Sequence, residues 1–324
     1  MDSLLLIRTL ASIVRGATPL VFASIGETIT ERAGVINLSL DGTILLSAMV
    51  AFAVAYTTGS LLLGFVAAML VGALMALVIA FGSITLRQDQ VAIGFVLTLL
   101  GAEMSSFLGN PFVRLKGPSV PHMPIPYLSD IPVIGPIFFN HNLVVYLGYV
   151  LIIASWLYIF KTQPGLRLQG IGERPEAAFA RGSRVNLMRY VYTGVGGALV
   201  GFAGAAFSLS IKLGWSHRHT AGTGWIALAI VIFGGWHPLR VAFGAYLFGG
   251  LKSLSSIFQR IAPGIPSQFF NGAPFALMIV ALLLVSSGWL DRLLVHLPVR
   301  VRRVIHDALL GAPPGGLGRV FVKE

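Results

Sequence analysis

The sequence predicts an all-α protein that crosses a lipid bilayer many times, and three observations support this. Of its 324 residues, 56% are hydrophobic and only 11% are charged, which leaves too little polar surface for a water-soluble globule. Apolar runs of about 20 residues, the length that a helix needs to cross a bilayer, recur along almost the whole chain. Residues 61–81 are apolar on every face, whereas the strands of a membrane barrel alternate in polarity. The spans are therefore predicted to be helices of one transmembrane domain, residues 1–324.

The apolar runs leave room for about eight to ten transmembrane helices. In one run, glycines at three- and four-residue spacing leave one helix face nearly bare, which predicts close packing against a neighbouring helix. These glycines are Gly194, Gly197, Gly201 and Gly204. The runs are residues 4–26, 38–58, 61–86, 91–109, 143–160, 190–209, 225–236, 241–258 and 274–290.

Basic residues set the predicted orientation of the chain. The longest polar interruption, residues 161–189, holds far more basic than acidic side chains, and residues 291–324 are rich in arginine. The positive-inside rule places both segments in the cytoplasm, so that the proline-rich residues 110–142 lie outside. This asymmetry explains the formal net charge of +11, and nucleic acid is not a predicted partner.

Two of the apolar runs are interrupted by small and polar residues. Residues 34–42 contain Asn37 and Asp41 between two glycines, and residues 234–238 contain a glycine pair and a proline. Broken helices are costly in lipid unless they line a cavity. Paired interruptions in the two halves of a chain are typical of an inverted-repeat transporter whose solute site lies between them.

Acidic residues within or beside the apolar runs need a partner, a cavity or the membrane interface, because burying a charge costs about 2.5 to 3.5 kcal/mol. For Glu27 and Glu31, an ion pair with Arg32 at the interface is favoured over contact with a solute. A nucleobase could stack on an aromatic face, although such residues are more often packing or interface residues. The candidates for the solute path are Asn37, Asp41, Gln90, Phe95, Glu103 and Trp225.

The polar stretch 165–184 has the features of a short cytoplasmic helix. Pro175 suits the first turn of a helix, residues 176–180 are compatible with one, and Gly182 would end it. Such a helix is what a groove on a partner protein could bind. A solvated loop remains an equal alternative.

Catalytic and metal sites are not predicted. No lysine follows a glycine, so the phosphate-binding Gly-Lys-Ser/Thr loop of an ATPase is absent. The chain also lacks the His-Glu-x-x-His pattern of zinc sites and the Gly-x-Ser-x-Gly pattern of hydrolases, and it contains no cysteine.

Four long motifs, in this order, resemble the membrane subunits of ABC importers for nucleosides and simple sugars, most closely the nucleoside branch. The resemblance covers nearly the whole chain. The motifs are ERAGVINLSLDG at 31–42, QVAIGFVLTLLG at 90–101, GLRLQGIGERPEAA at 165–178 and GTGWIALAIVIFGGWHPLR at 222–240.

The resemblance implies a subunit of the bacterial inner membrane that binds no cofactor itself. Its partners would be a cytoplasmic ATPase that binds ATP and Mg²⁺, a second and different permease chain, and an extracytoplasmic solute-binding protein. The sequence departs from the family pattern at Ser39, Asp41 and Phe179, where glycine, glutamate and an acidic residue are more usual. The residues implied to dock on the ATPase are Gly172, Glu173, Pro175, Glu176, Ala177 and Ala178.

Other solutes and another transport mechanism stay open at this point. A ribose-like sugar would satisfy the same motifs, and a branched-chain amino acid is a more distant option. An autonomous ion-coupled carrier could use Asp41 and Glu103 as proton or ion sites. Gradient-driven uptake by the chain alone would distinguish this carrier from a permease that needs a separate ATPase.

Overall fold

The structure is a computed structural model, and it describes residues 3–220, 222–261 and 311–321, with a few isolated positions between 264 and 283. The α-helices of the described part are connected mostly by short turns. Short π-helical segments, Phe81–Thr85 and Phe207–Ile211, continue α3 and α8, and another, Gly135–Phe139, lies before α5. The helices are α1 Ser3–Arg32, α2 Leu40–Thr58, α3 Leu61–Ala80, α4 Gln90–Gly109, α5 Leu143–Lys161, α6 Gln163–Glu173, α7 Pro175–Ala180, α8 Val185–Ala206, α9 Thr223–Phe233 and α10 Pro238–Ile261.

Six helices in the described residues are long and apolar enough to cross a membrane, which confirms the all-α, multi-spanning fold. They are α1 to α5 and α8. The apolar α9 has only 11 residues, whereas α10 has 24. The predicted span at 274–290 and most of the predicted cytoplasmic segment 291–324 lie outside the described residues. The count of about eight to ten spans therefore stays a prediction.

Side-chain caps mark where several of the spans begin. Ser60 accepts a hydrogen bond from the Leu63 N–H, and Asp89 accepts one from the Ala92 N–H at 2.7 Å. The Asn142 side-chain oxygen accepts a hydrogen bond from the Val145 N–H in the first turn of α5. These side chains satisfy backbone donors that a helix leaves free at its N-terminus, so the polar residues between the apolar runs fix the helix starts.

Helix α8 lies at the centre of the bundle, with α1, α2 and α3 packed against it. A Cβ atom added to Gly26 would lie 2.6 Å from the Gly196 carbonyl oxygen, and one added to Gly72 would overlap Gly197 and Gly201. The backbones of these helices therefore touch, as small residues allow in membrane proteins. This confirms the predicted close packing of the glycine face on α8.

Candidate functional site

The break between α1 and α2 lies within the thickness of the bundle. Helix α1 ends at Arg32, Gly34 has a φ of +91°, and α2 begins at Leu40. The Thr98 hydroxyl donates to the Leu38 carbonyl at 2.7 Å. Thr98 lies eight residues beyond the start of α4, which corresponds to about 12 Å along that helix. Helix α2 therefore begins well inside the span of α4.

The N-terminus of α9 meets the N-terminus of α2 at this level. The Gly224 N–H donates to the Asp41 carboxylate at 2.9 Å. A Cβ atom on Gly224 would overlap the backbone of Asp41, so only glycine permits this approach. Helix N-termini carry partial positive charge, and the negative Asp41 carboxylate lies at the N-termini of both α2 and α9. Helix N-termini that meet inside a bundle, beside interrupted helices, are the arrangement that surrounds the solute in many transporters.

Side chains hold the non-helical backbone of the break. The Asn37 N–H donates to Glu27 at 3.0 Å, and the Ile36 N–H donates to the Gln90 side chain at 2.7 Å. The Asn37 side-chain oxygen accepts from the backbone and hydroxyl of Ser39. Glu27, Asn37 and Ser39 are completely buried. Irregular backbone at membrane depth needs such internal partners because lipid offers none.

The predicted ion pair of Glu27 and Glu31 with Arg32 does not form in the described structure. The Arg32 Nε–H donates to the Trp236 carbonyl at 2.7 Å, and the Trp236 indole N–H donates to Glu31. Helix α1 continues through both glutamates, and their side chains are buried inside the bundle. No local pattern indicated that Trp236, 204 residues beyond Arg32, would supply the partner groups.

The second break, between α9 and α10, also lies against the end of α1. His237 stacks on Phe160 with ring centroids 4.8 Å apart. Burial lowers the pKa of His237 from 6.5, and the neighbouring Arg240 and Arg32 lower it further. The imidazole is therefore neutral at neutral pH, which limits the repulsion among the basic groups gathered at this turn.

The short helix that the sequence allowed is present as α7. It begins at Pro175 and ends at Ala180, and Gly182 follows with a φ of +83°. Pro175 is buried, as is Gly172 at the end of α6. Glu173, Glu176 and Ala177 are exposed, and Ala178 is half-buried. Of the two alternatives, helix and solvated loop, the structure has the helix. Its exposed face is available to a partner.

Five of the six path candidates fall into two groups. Asn37, Asp41 and Gln90 come together at the break, where their side-chain oxygens accept from the backbone N–H groups of Ser39, Gly224 and Ile36. Phe95 and Glu103 lie on the exposed side of α4, and Glu103 forms a 2.7 Å ion pair with the exposed Arg218. The remaining candidate, Trp225, is half-buried beside Gly224. The structure does not bring the two groups into one pocket within the described residues.

Sequence reasoning missed two buried groups near the break. Arg189 on α8 is only 2% exposed, and its guanidinium binds backbone carbonyls of residues 316 and 319. Trp236 holds Glu31. Trp236 belongs to the interruption 234–238, whereas nothing in the sequence distinguishes Arg189 from the other basic residues of 161–189. Among the described residues, no group of three acidic or histidine side chains is placed to hold a metal ion.

Comparison with known proteins gives consistent relatives. The chain is 39% identical to a provisionally named glucose ABC transporter permease of Haloferax volcanii, over 77% of each chain. It is 35% identical to the nucleoside ABC transporter permease NupC of Lactococcus lactis, over 83% of this chain and 89% of that one. The guanosine ABC transporter permease NupQ of Bacillus subtilis is also 35% identical, over 85% and 90%.

No solved structure is similar enough to the chain to be matched with it. The family model of branched-chain amino acid transport system permease components matches residues 9–285, which is most of the chain. Together with the multi-spanning fold, this match shows that the chain belongs to the family of ABC transporter permease components described for branched-chain amino acid transport.

Proposed function

We propose that this permease subunit forms half of an inward path for nucleosides across a bacterial inner membrane. The similarity to NupC and NupQ over more than four-fifths of the chain carries the choice of solute. The 39% identity to the Haloferax volcanii protein supports a simple sugar as the second candidate. In this proposal, residues 161–189 and 291–324 face the cytoplasm and residues 110–142 face the outside.

The proposed path runs along the exposed side of α4, where a second, homologous permease chain would complete it. Phe95 is 51% exposed there, whereas the opposite side of α4, with Gly94, Gly101 and Ser105, packs on α2. Asp41 and Asn37 lie behind α4 in this proposal, and Gln90 at the start of α4 binds the break through the Ile36 N–H. Trp225 is positioned on α9 at the same break, and Glu103 lies near the outer end of the path.

Helix α7 and the end of α6 are the proposed docking site of a separate ATPase subunit, which binds ATP and Mg²⁺. The proposed contact residues are Gly172, Glu173, Pro175, Glu176, Ala177 and Ala178, and α7 presents Glu176 to solvent. An extracytoplasmic binding protein would deliver the solute to the other end of the path.

Charge reversal on α7 tests this docking. In vesicles that contain the assembled transporter, Glu176→Arg is expected to abolish ATP-dependent uptake of labelled nucleosides. The ATPase surface that would be complementary to the negative charge of Glu176 would repel the positive charge of an arginine. Co-purification of the ATPase with the permease is measured in parallel. The control is Asp130→Arg, the same reversal in an exposed loop of the predicted outer side, which should leave ATPase binding unchanged.

Uptake that is unchanged without the ATPase and in the Glu176→Arg variant would contradict the permease assignment. If that uptake followed an ion gradient and was lost on neutralising Asp41 or Glu103, the chain would be an autonomous carrier. Its membership of the permease family argues against that outcome.

Truncation of Phe95 tests the choice of solute. Stacking of a base on an aromatic ring is worth about 1 to 3 kcal/mol, so Phe95→Ala is expected to raise the KM for nucleosides about tenfold. The exposed neighbour change Val96→Ala should have little effect. A wild-type transporter that takes up ribose or glucose and not nucleosides, with a KM that Phe95→Ala does not change, would favour the sugar alternative.

A further inference from the structure

Residues 311–321, here called the glycine strap, lie against the proposed docking helices. The Gly316 N–H donates to the Gly172 carbonyl at 2.7 Å, and the Gly315 N–H donates to the Glu173 carboxylate at 3.1 Å. The ring of Phe321 packs on Phe179 of α7 with centroids 5.6 Å apart. Phe321 is only 8% exposed. The strap is thus fastened to α6 near its middle and to α7 at its last described residue.

The same strap also contacts both breaks. The Gly318 N–H donates to the carbonyl of Gly34 in the α1–α2 break at 3.1 Å. Gly311 lies against Gly235 in the α9–α10 turn, so closely that a Cβ atom on Gly235 would lie 2.7 Å from the Gly311 Cα. Gly34 and Gly235 both have positive φ, so the strap contacts each break where the helical backbone hydrogen bonds are interrupted.

Arg189 fixes the strap to α8. One guanidinium nitrogen donates to the Arg319 carbonyl at 2.9 Å, and another lies 3.5 Å from the Gly316 carbonyl. A buried guanidinium without acceptors is strongly unfavourable, and the strap carbonyls accept from its two terminal nitrogens. Helix α8 is the central helix of the bundle, so Arg189 ties the strap to the helix on which α1, α2 and α3 pack.

The strap lies so close to its neighbours that it needs glycine at two positions. A Cβ atom on Gly316 would lie 2.8 Å from the Gly172 carbonyl oxygen and 3.0 Å from Pro175. Gly318 has a φ of +73°, which other residues rarely adopt. Backbone hydrogen bonds to Gly172 and Gly34 leave no flexible side chain between the docking helices and the first break.

We propose that the glycine strap is the mechanical link through which movement of α6 and α7 reaches the two broken helices. The proposal rests on the proposed function, because an ATPase must move α6 and α7. Displacement of the docking helices would pull the strap at residues 315, 316 and 321, and the strap would shift the breaks at Gly34 and Gly235. The path would then open or close without direct contact between the ATPase and the breaks.

The test uses the absence of cysteine from the chain. Leu38→Cys places a single thiol of this chain in the α1–α2 break, next to α4. In the fully assembled transporter, its alkylation rate is measured by mass spectrometry with and without ATP. With an intact strap, ATP is expected to change the rate about tenfold, within the usual range of coupling between sites.

Two strap variants are combined with this thiol. Phe321→Ala removes the contact with α7, and Gly316→Val forces the strap away from Gly172. In both, the change of rate with ATP is expected to fall below about twofold while the ATPase subunit still co-purifies. The control Val320→Ala, an exposed neighbour, should keep the full response.

A full ATP response in both variants would overturn the proposal. Loss of the ATPase from both variants would also overturn it, because the strap would then be part of the docking surface and not a link behind it. The labelling needs no solute, so a wrong choice of solute leaves this result readable. Failure of the unmodified chain to bind the ATPase would instead refute the proposed function itself.

Discussion

Replacing Gly72 by valine is expected to remove nearly all folded protein from the membrane. The new Cβ would overlap the Gly197 carbonyl and would lie 2.6 Å from the Gly201 nitrogen, where α3 crosses α8. Backbone atoms cannot rotate away as side chains can, so the two helices must separate. Overpacking usually costs about 1 to 3 kcal/mol and more where nothing can yield, and we expect at least the upper value here.

The measurement is the amount of monodisperse protein recovered in detergent, together with its unfolding midpoint. The matched control is Gly170→Val, the same change inside α6 at a position where a Cβ atom would meet nothing within 4 Å. It should leave recovery and midpoint nearly unchanged. Equal behaviour of the two variants would show that α3 and α8 do not cross at backbone distance.

Replacing Asp41 by alanine is expected to cause the second-largest loss. It removes the acceptor of the Gly224 N–H at the start of α9, inside a bundle where lipid and packed side chains offer no substitute. Leaving such a buried donor unpaired costs about 3 kcal/mol at the upper end of the usual range. Since 1.4 kcal/mol corresponds to a factor of ten, the correctly formed site should become about a hundredfold rarer.

The readout is nucleoside uptake per folded transporter, with folding followed by the unfolding midpoint. Asp41→Asn keeps an oxygen that can accept from Gly224 and should retain most of the stability and part of the uptake. If asparagine and alanine were equally damaging in uptake while both proteins folded normally, the charge of Asp41 would act on the solute or an ion, and its hydrogen bond to α9 would be secondary.

Local rules account for much of the architecture. The apolar runs predicted the spans, the glycine spacing on α8 predicted its close packing, and Pro175 and Gly182 marked a short helix that is present as α7. Each of these features depends on residues a few positions apart. Periodicity, turn residues and caps are therefore enough to find them.

The ion pair proposed for Glu27 and Glu31 with Arg32 was wrong for the opposite reason. Glu27 accepts from the Asn37 N–H in the folded-back break, and the partner of Glu31 and Arg32 is Trp236. No local pattern indicates that a residue about 200 positions away will lie beside α1. A buried polar group takes whichever partner the packing brings near, and packing is a property of the whole bundle.

By itself, the sequence determined the solvent, the helical class, the two interruptions and the family of this protein, because composition, periodicity and motifs are local in the chain. Only the tertiary structure decided that the interruptions meet at Asp41 and Gly224 and that residues 311–321 join both breaks to α7. Such contacts arise between segments distant in sequence, where backbone hydrogen bonds and close glycine contacts fix the geometry without leaving a residue pattern to read.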